Sequence, residues 1–449
     1  MADTNLIAIS ATDAAAEIAR GALSAEDYVR AYLDRIAAVE KDVQAFIHLD
    51  PDYALMQARE LDKHRSNGHP IGPLHGIPVA IKDIFDTADY PTEYGSPIHA
   101  GRRPHADAAA VARLRAAGAV IIGKTVTTEF AYFHPGKTRN PHDPSRTPGG
   151  SSSGSAAAVA AGMTPLAIGS QTNGSMIRPG AFCGVYAVKP GHGLISRAGA
   201  LMLSRALDHV GAFARTLEDL ALVLDVLAGP DAADPDTRPF AAAAFRATAA
   251  EKPPVPPSFA FIRTPMWDKA DADTQQKIEQ AAKELDAIDV DLPDDYRAAW
   301  EAQRIIMATD MAHNLGDNLD KGEVSQHFRD LVTEGRKVTA VQYLAALRDA
   351  RRYAEGLSDV FQHADAIITP SARGVAPEGT ATGDPVFCTF WTLTGMPALN
   401  LPILAGEGGL PLGLQLVGER GRDERLLRTA RVVLDKFGKK TAKRARATR

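Results

Sequence analysis

Residues 149–190 read GGSSSGSAAAVAAGMTPLAIGSQTNGSMIRPGAFCGVYAVKP, and this stretch decides the fold. Gly, Ser and Ala dominate it, as they dominate flexible linkers. Apolar residues nevertheless run through it (Val159, Met163, Leu166, Ile168), and linkers of that kind lack them. The composition therefore predicts close backbone packing and tight turns inside a folded core.

The flanks supply the rest of the pattern. Upstream, GPLHGIPVAIKD (72–83) predicts a short buried strand over Val79–Ile81 that ends at Lys82. ADAAAVARLRAAG (106–118) predicts a helix leading into a strand, AVIIGK (119–124). Further back, Ser24 is placed to cap a helix over 25–40, with Asp27 in its first turn. Downstream, 205–231 (RALDHVGAFARTLEDLALVLDVLAGPD) is read as an amphipathic helix that stops at Gly229–Pro230. A linker candidate, EKPPVPPS (251–258), precedes a strand, a helix, a strand and long helices to about 362. Strands return in DAIITPSA, GMPALNLPI and PLGLQLVG.

This alternation predicts one large α/β domain with a mixed, mostly parallel central sheet covered by helices. Within it we expect N-terminal helices (1–65), a catalytic core (66–230), a variable substrate-side half (231–365), a return to the core sheet (366–435) and a basic tail (436–449) expected to be disordered.

Composition narrows the function. Of the 449 residues, 45% are hydrophobic and 23% charged, the ordinary range for a soluble globular protein. Two distant cysteines, Cys183 and Cys388, exclude a disulfide scaffold and a CxxC metal site. A net charge of −5 argues against nucleic-acid binding. MADTNLIAIS has no secretory character, and no apolar run reaches membrane-spanning length, so a cytoplasmic enzyme is expected.

Two short motifs mislead. Gly118–Thr125 fits the phosphate-loop pattern, but its inner residues, Ala119 to Ile122, suit a strand and not an anion nest. Gly150–Gly154 fits a nucleophile elbow around Ser152, but the segment before it, KTRNPHDPSRTPG, is loop where that motif needs a strand. Ser152 is expected to cap the following helix instead.

The long stretch quoted first resembles the amidase signature family of serine hydrolases. GPLHGIPVAIKD resembles that family's lysine segment, and LDHVGAFARTLEDLALVLD, ITPSA, GMPALNLP and GLPLGLQLVG extend the likeness over nearly the whole chain. The resemblance implies a triad of Lys82, Ser151 (in a cis peptide) and the nucleophile Ser175. It also implies an oxyanion hole from the backbone N–H groups of Thr172, Asn173, Gly174 and Ser175.

The residues themselves suit those roles. A serine hydroxyl needs a base, and no histidine is placed to serve. A lysine can serve if burial drives it toward the neutral form, and Lys82 follows an apolar strand. The implied reaction is acyl transfer to Ser175 from a small amide, anilide or carbamate, with no metal and no organic cofactor.

The chain departs from the commonest family pattern at two positions. Gln171 stands where that pattern has Asp, and the following Arg comes one place later, at Arg178. A malonamide-hydrolysing branch looks similar here, which makes Gln171 and Arg178 candidate substrate-binding residues; the other reading pairs Arg178 with an acid in the core. Trp267, Met307, Met311 and Phe328 are candidates for an apolar lid, or else ordinary core. The expected partner is a small amide or carbamate, without nucleic acid or membrane, and a homodimer is left open. The alternative to a free-standing amidase is the glutaminase subunit of a tRNA-dependent amidotransferase complex.

Overall fold

Eleven strands form one sheet in the computed structural model, which describes residues 4–237 and 244–447. In chain order they are β1 (Phe46–Leu49), β2 (Pro78–Lys82), β3 (Val120–Thr125), β4 (Leu166–Gln171), β5 (Tyr186–Lys189), β6 (His209–Ala214), β7 (Phe259–Ile262), β8 (Ile288–Val290), β9 (Ala366–Pro370), β10 (Ala398–Ala405) and β11 (Pro411–Val417). The spatial order is β1-β3-β2-β4-β6-β5-β10-β11-β9-β7-β8.

The sheet is mixed, as expected, but antiparallel pairing is the more frequent kind. β3, β2 and β4 run parallel, as do β9, β7 and β8, while the strands between them alternate. β2, β3, β4, β6 and β9 are buried along their full length, with helices over the sheet. Such strands read as continuous apolar runs, which is why β2, β3 and β9 were legible.

Local signals hold at several helix ends. Ser24 accepts a hydrogen bond from the Asp27 N–H at the start of the helix Ala25–Val43. Thr216 does the same for Asp219 at the start of Leu217–Leu227. The small residues of 149–160 fit close packing: a Cβ on Gly154 would lie 2.2 Å from the Ala45 carbonyl oxygen.

Three expectations need correction. The segment read as one amphipathic helix over 205–231 is a strand, β6, followed by a helix from Leu217. Its first half lies between β4 and β5, and inter-strand pairing there overrides the helical spacing. The last helix, Asp423–Ala447, runs into the basic tail for which disorder was expected. Lys, Arg and Ala are strong helix formers and extend it; the side chains beyond residue 438 lie outside the described residues.

Third, Ser152 sits at the N-cap of Ser153–Ala160 but makes no side-chain cap. Its hydroxyl donates to the Ser170 carbonyl oxygen instead, at 3.2 Å.

Candidate active site

Strand register builds the site. β2 and β4 are parallel, with Ile81 opposite Ile168, so their C-terminal ends open on the same side of the sheet. That is where open α/β sheets place their ligands. Lys82 ends β2, and its Nζ donates to Ser151 Oγ at 2.7 Å and to Ser170 Oγ at 2.9 Å. The Gly150–Ser151 peptide is cis.

Lys82 is fully buried, and burial lowers its pKa well below the usual 10.5; the charge of Asp208 opposes that shift. No carboxylate lies within ion-pair distance of it among the described residues. Burial without a paired anion favours the neutral amine.

Ser175 follows β4 through the turn Thr172-Asn173-Gly174 and lies just before the helix Ile177–Cys183. It lines a small cavity of about 20 Å³ together with Ala131, Tyr132, Phe133, Thr172, Asn173, Gly174, Arg178, Leu203 and Met307. Gly174 is required by close approach: a Cβ there would lie 2.8 Å from Pro385 Cβ and 3.1 Å from Arg178 Nη1. The backbone N–H groups of Asn173, Gly174 and Ser175 donate to no protein acceptor among the described residues.

The two candidate substrate contacts part company. Gln171 is buried and does not line the cavity. Its Oε1 accepts from the N–H groups of Met176 (2.8 Å) and Ile177 (3.1 Å), and its Nε2 donates to Thr392 Oγ1 at 2.9 Å. It holds the start of the helix, where unpaired N–H groups attract an acceptor. A neutral amide in this place leaves the neighbouring cation without a carboxylate.

Arg178 does line the cavity. Nη2 donates to the Gly150 carbonyl oxygen at 2.7 Å, while Nε and Nη1 have no hydrogen-bond partner. Its guanidinium lies 6.0 Å from the centre of the Phe133 ring and is in no ion pair among the described residues. Burial lowers its pKa from 12.5 to about 10.

The four lid candidates do not assemble over the cavity. Only Met307 of the four lines the cavity. Met311 and Phe328 are buried in the core, Phe328 against Phe130 with ring centres 4.5 Å apart. Trp267 packs edge-on against Phe261. Tyr132 and Phe133 wall the cavity instead.

The decoys resolve simply. Gly118–Thr125 contains β3, and its Lys124 is buried, 3.1 Å from Asp83 Oδ1 and bonded to Thr92 Oγ1 and the carbonyl oxygens of Phe85 and Pro91. Cys183 is buried, with its thiol pKa raised by burial.

Sequence reasoning missed Ser170 and Asp208. Asp208 is buried and accepts from Thr172 Oγ1 (2.6 Å) and from the N–H groups of Leu203 (2.8 Å) and Ser204 (3.0 Å). Burial raises its pKa to about 6. A buried acid inside the LDHVG segment was a usable signal, hidden by the helical reading of that stretch.

The amidase family model matches residues 27–427. The chain belongs to the amidase family. Hydrolysis of carbon–nitrogen bonds is thereby its chemistry. The chain is 35% identical to a glutamyl-tRNA(Gln) amidotransferase subunit from Salinispora arenicola (strain CNS-205), over 95% of this chain and 97% of that one.

Among solved structures it resembles one from work on a vestigial protein complex and the origins of an s-triazine catabolic enzyme. The TM-score is 0.90 at 30% identity, covering 96% of this chain and 99% of that one. It also resembles the peptide amidase of Stenotrophomonas maltophilia, with a TM-score of 0.83 and 32% identity over 95% and 96% of the two chains. Among the described residues no helix is long and apolar enough to cross a membrane.

Proposed function

We propose that this amidase works through an acyl-serine intermediate on Ser175, with Lys82 as base, Ser151 as relay and the N–H groups of residues 172–175 as oxyanion hole. The observation that carries the reading is the buried Lys82 amine hydrogen-bonded to Ser151, whose neighbour Gly150 accepts from Arg178 in the wall of the cavity that Ser175 lines. A neutral amine has a lone pair for the Ser151 proton while Ser151 takes that of Ser175. Ser175 Oγ then bonds to the carbonyl carbon, and the free N–H groups stabilise the charge that grows on oxygen. Return of the proton to the leaving nitrogen breaks the carbon–nitrogen bond, and water releases the acid by the same path.

The acyl group carries a carboxylate, read by the unpaired Nε and Nη1 of Arg178. Glutamine has both a carboxylate and a hydrolysable amide, so the reading as a glutaminase component fits the same cavity. The name of the curated relative supports it over a free-standing amidase acting on small amides, anilides or carbamates. The test is ammonia release from glutamine with and without added amidotransferase partner chains, beside a panel of small acidic and neutral amides and carbamates. Release from glutamine only with partners supports the glutaminase reading. Fast hydrolysis of panel members by the chain alone supports the free-standing amidase, and no hydrolysis in any arm refutes both.

A further inference from the structure

The oxyanion segment is held from three sides, and one of the holding groups comes from the variable half. Gln303 lies on the helix Ala299–Leu315 and is 2% exposed. Its Nε2 donates to the Thr172 carbonyl oxygen at 3.2 Å, and its Oε1 accepts from Asn173 Nδ2 at 3.3 Å. From the helix Val386–Leu393, Thr389 Oγ1 donates to Asn173 Oδ1 at 2.7 Å and Thr392 Oγ1 to the Asn173 carbonyl oxygen at 2.6 Å. Asp208 holds the Thr172 hydroxyl.

Each carbonyl in this set shares a planar trans peptide with the next residue's N–H, and the two point in opposite directions. A bond on the Thr172 oxygen therefore aims the Asn173 N–H, and a bond on the Asn173 oxygen aims the Gly174 N–H. Those N–H groups have no protein acceptor among the described residues.

We infer that Gln303 is a positioning residue that fixes the direction of the Asn173 N–H, so that the variable half sets the strength of the oxyanion hole. The inference rests on the proposed role of Ser175. It departs from the view of residues 231–365 as a substrate cover only. An oxyanion donor acts on the transition state, so its misalignment lowers kcat and leaves KM nearly unchanged.

The test is Gln303→Met, which keeps side-chain length and removes both contacts to residues 172 and 173, and Gln303→Glu, whose carboxylate accepts from Asn173 but cannot donate to the Thr172 oxygen. We expect kcat to fall roughly tenfold or more in both, with KM within about twofold, since a whole donor is worth more. The rate of fluorophosphonate labelling at Ser175 should fall by the same factor in folded protein, a readout that packing alone would not move. Labelling of Ser175 at the parent rate in Gln303→Met, or a change in KM alone, overturns the inference. If either variant fails to fold, the other decides it. Labelling of the parent enzyme at a residue other than Ser175 would instead overturn the proposed nucleophile.

Discussion

Replacing Arg178 by Met separates substrate reading from structural support. The side chain is fully buried, makes one hydrogen bond, to the Gly150 carbonyl oxygen, and leaves Nε and Nη1 unpartnered. The drop from 12.5 to about 10 corresponds to on the order of 3 kcal/mol against the cation in this setting. Both folded and unfolded chains are protonated at neutral pH, so this cost is present throughout the physiological range and is relieved only as pH rises past about 10.

A substrate carboxylate offsets that cost by satisfying the orphan donors. Hydrogen bonds to charged groups contribute about 1.5–3 kcal/mol each, so Arg178→Met should cost roughly 3 kcal/mol in transition-state binding. That is about a hundredfold in kcat/KM for amides with an acidic acyl group, and within about fivefold for neutral anilides or carbamates. Stability should hold or rise, because a buried unpaired charge is exchanged for an apolar side chain of similar length. The assay is kcat/KM on matched acidic and neutral substrates, with a thermal melt at pH 7. Equal losses on both classes, or a large fall in Tm, would refute the reasoning and make Arg178 a structural brace for the Gly150 carbonyl.

Three further outcomes are expected. Ser175→Ala should abolish turnover with the melting curve unchanged, and a fluorophosphonate should label Ser175 and leave Ser152 untouched by mass spectrometry; residual wild-type turnover would remove Ser175 from its role. Activity should rise with pH through a lysine pKa lying well below 10.5, because only neutral Lys82 accepts a proton, and Lys82→Ala should remove that limb along with most of the rate. The sign for stability is the same: between the lowered folded pKa and about 10.4 the unfolded chain binds the extra proton, so stability also climbs with pH. Truncation after Phe437, whose ring packs on the core, should leave hydrolysis of a small amide within about twofold, as expected for a solvated run of like charges; loss of activity would give the tail a role.

Much of the architecture is determined locally. Val79–Ile81, the 119–124 run and DAIITPSA become strands because they are apolar at consecutive positions and bounded by turns, and Ser24 starts its helix because its oxygen meets a free N–H. The order of the motifs also pointed to the family, which the family model matches over residues 27–427, and singled out Lys82, Ser151 and Ser175 as candidates.

Other features depend on partners far away in the chain, which spacing does not encode. His209–Ala214 looks helical alone and becomes a strand because β4 and β5 flank it. Gln171 and Arg178, both candidates for substrate contact, divide because one has backbone N–H groups within reach and the other has only a cavity and a single carbonyl. Gln303 lies 131 residues from Thr172, and Thr392 lies 219 from Asn173. Which side chains brace residues 172 and 173 was therefore settled only by tertiary packing, since a hydrogen bond depends on distance and direction in space and carries no mark in the sequence between its ends.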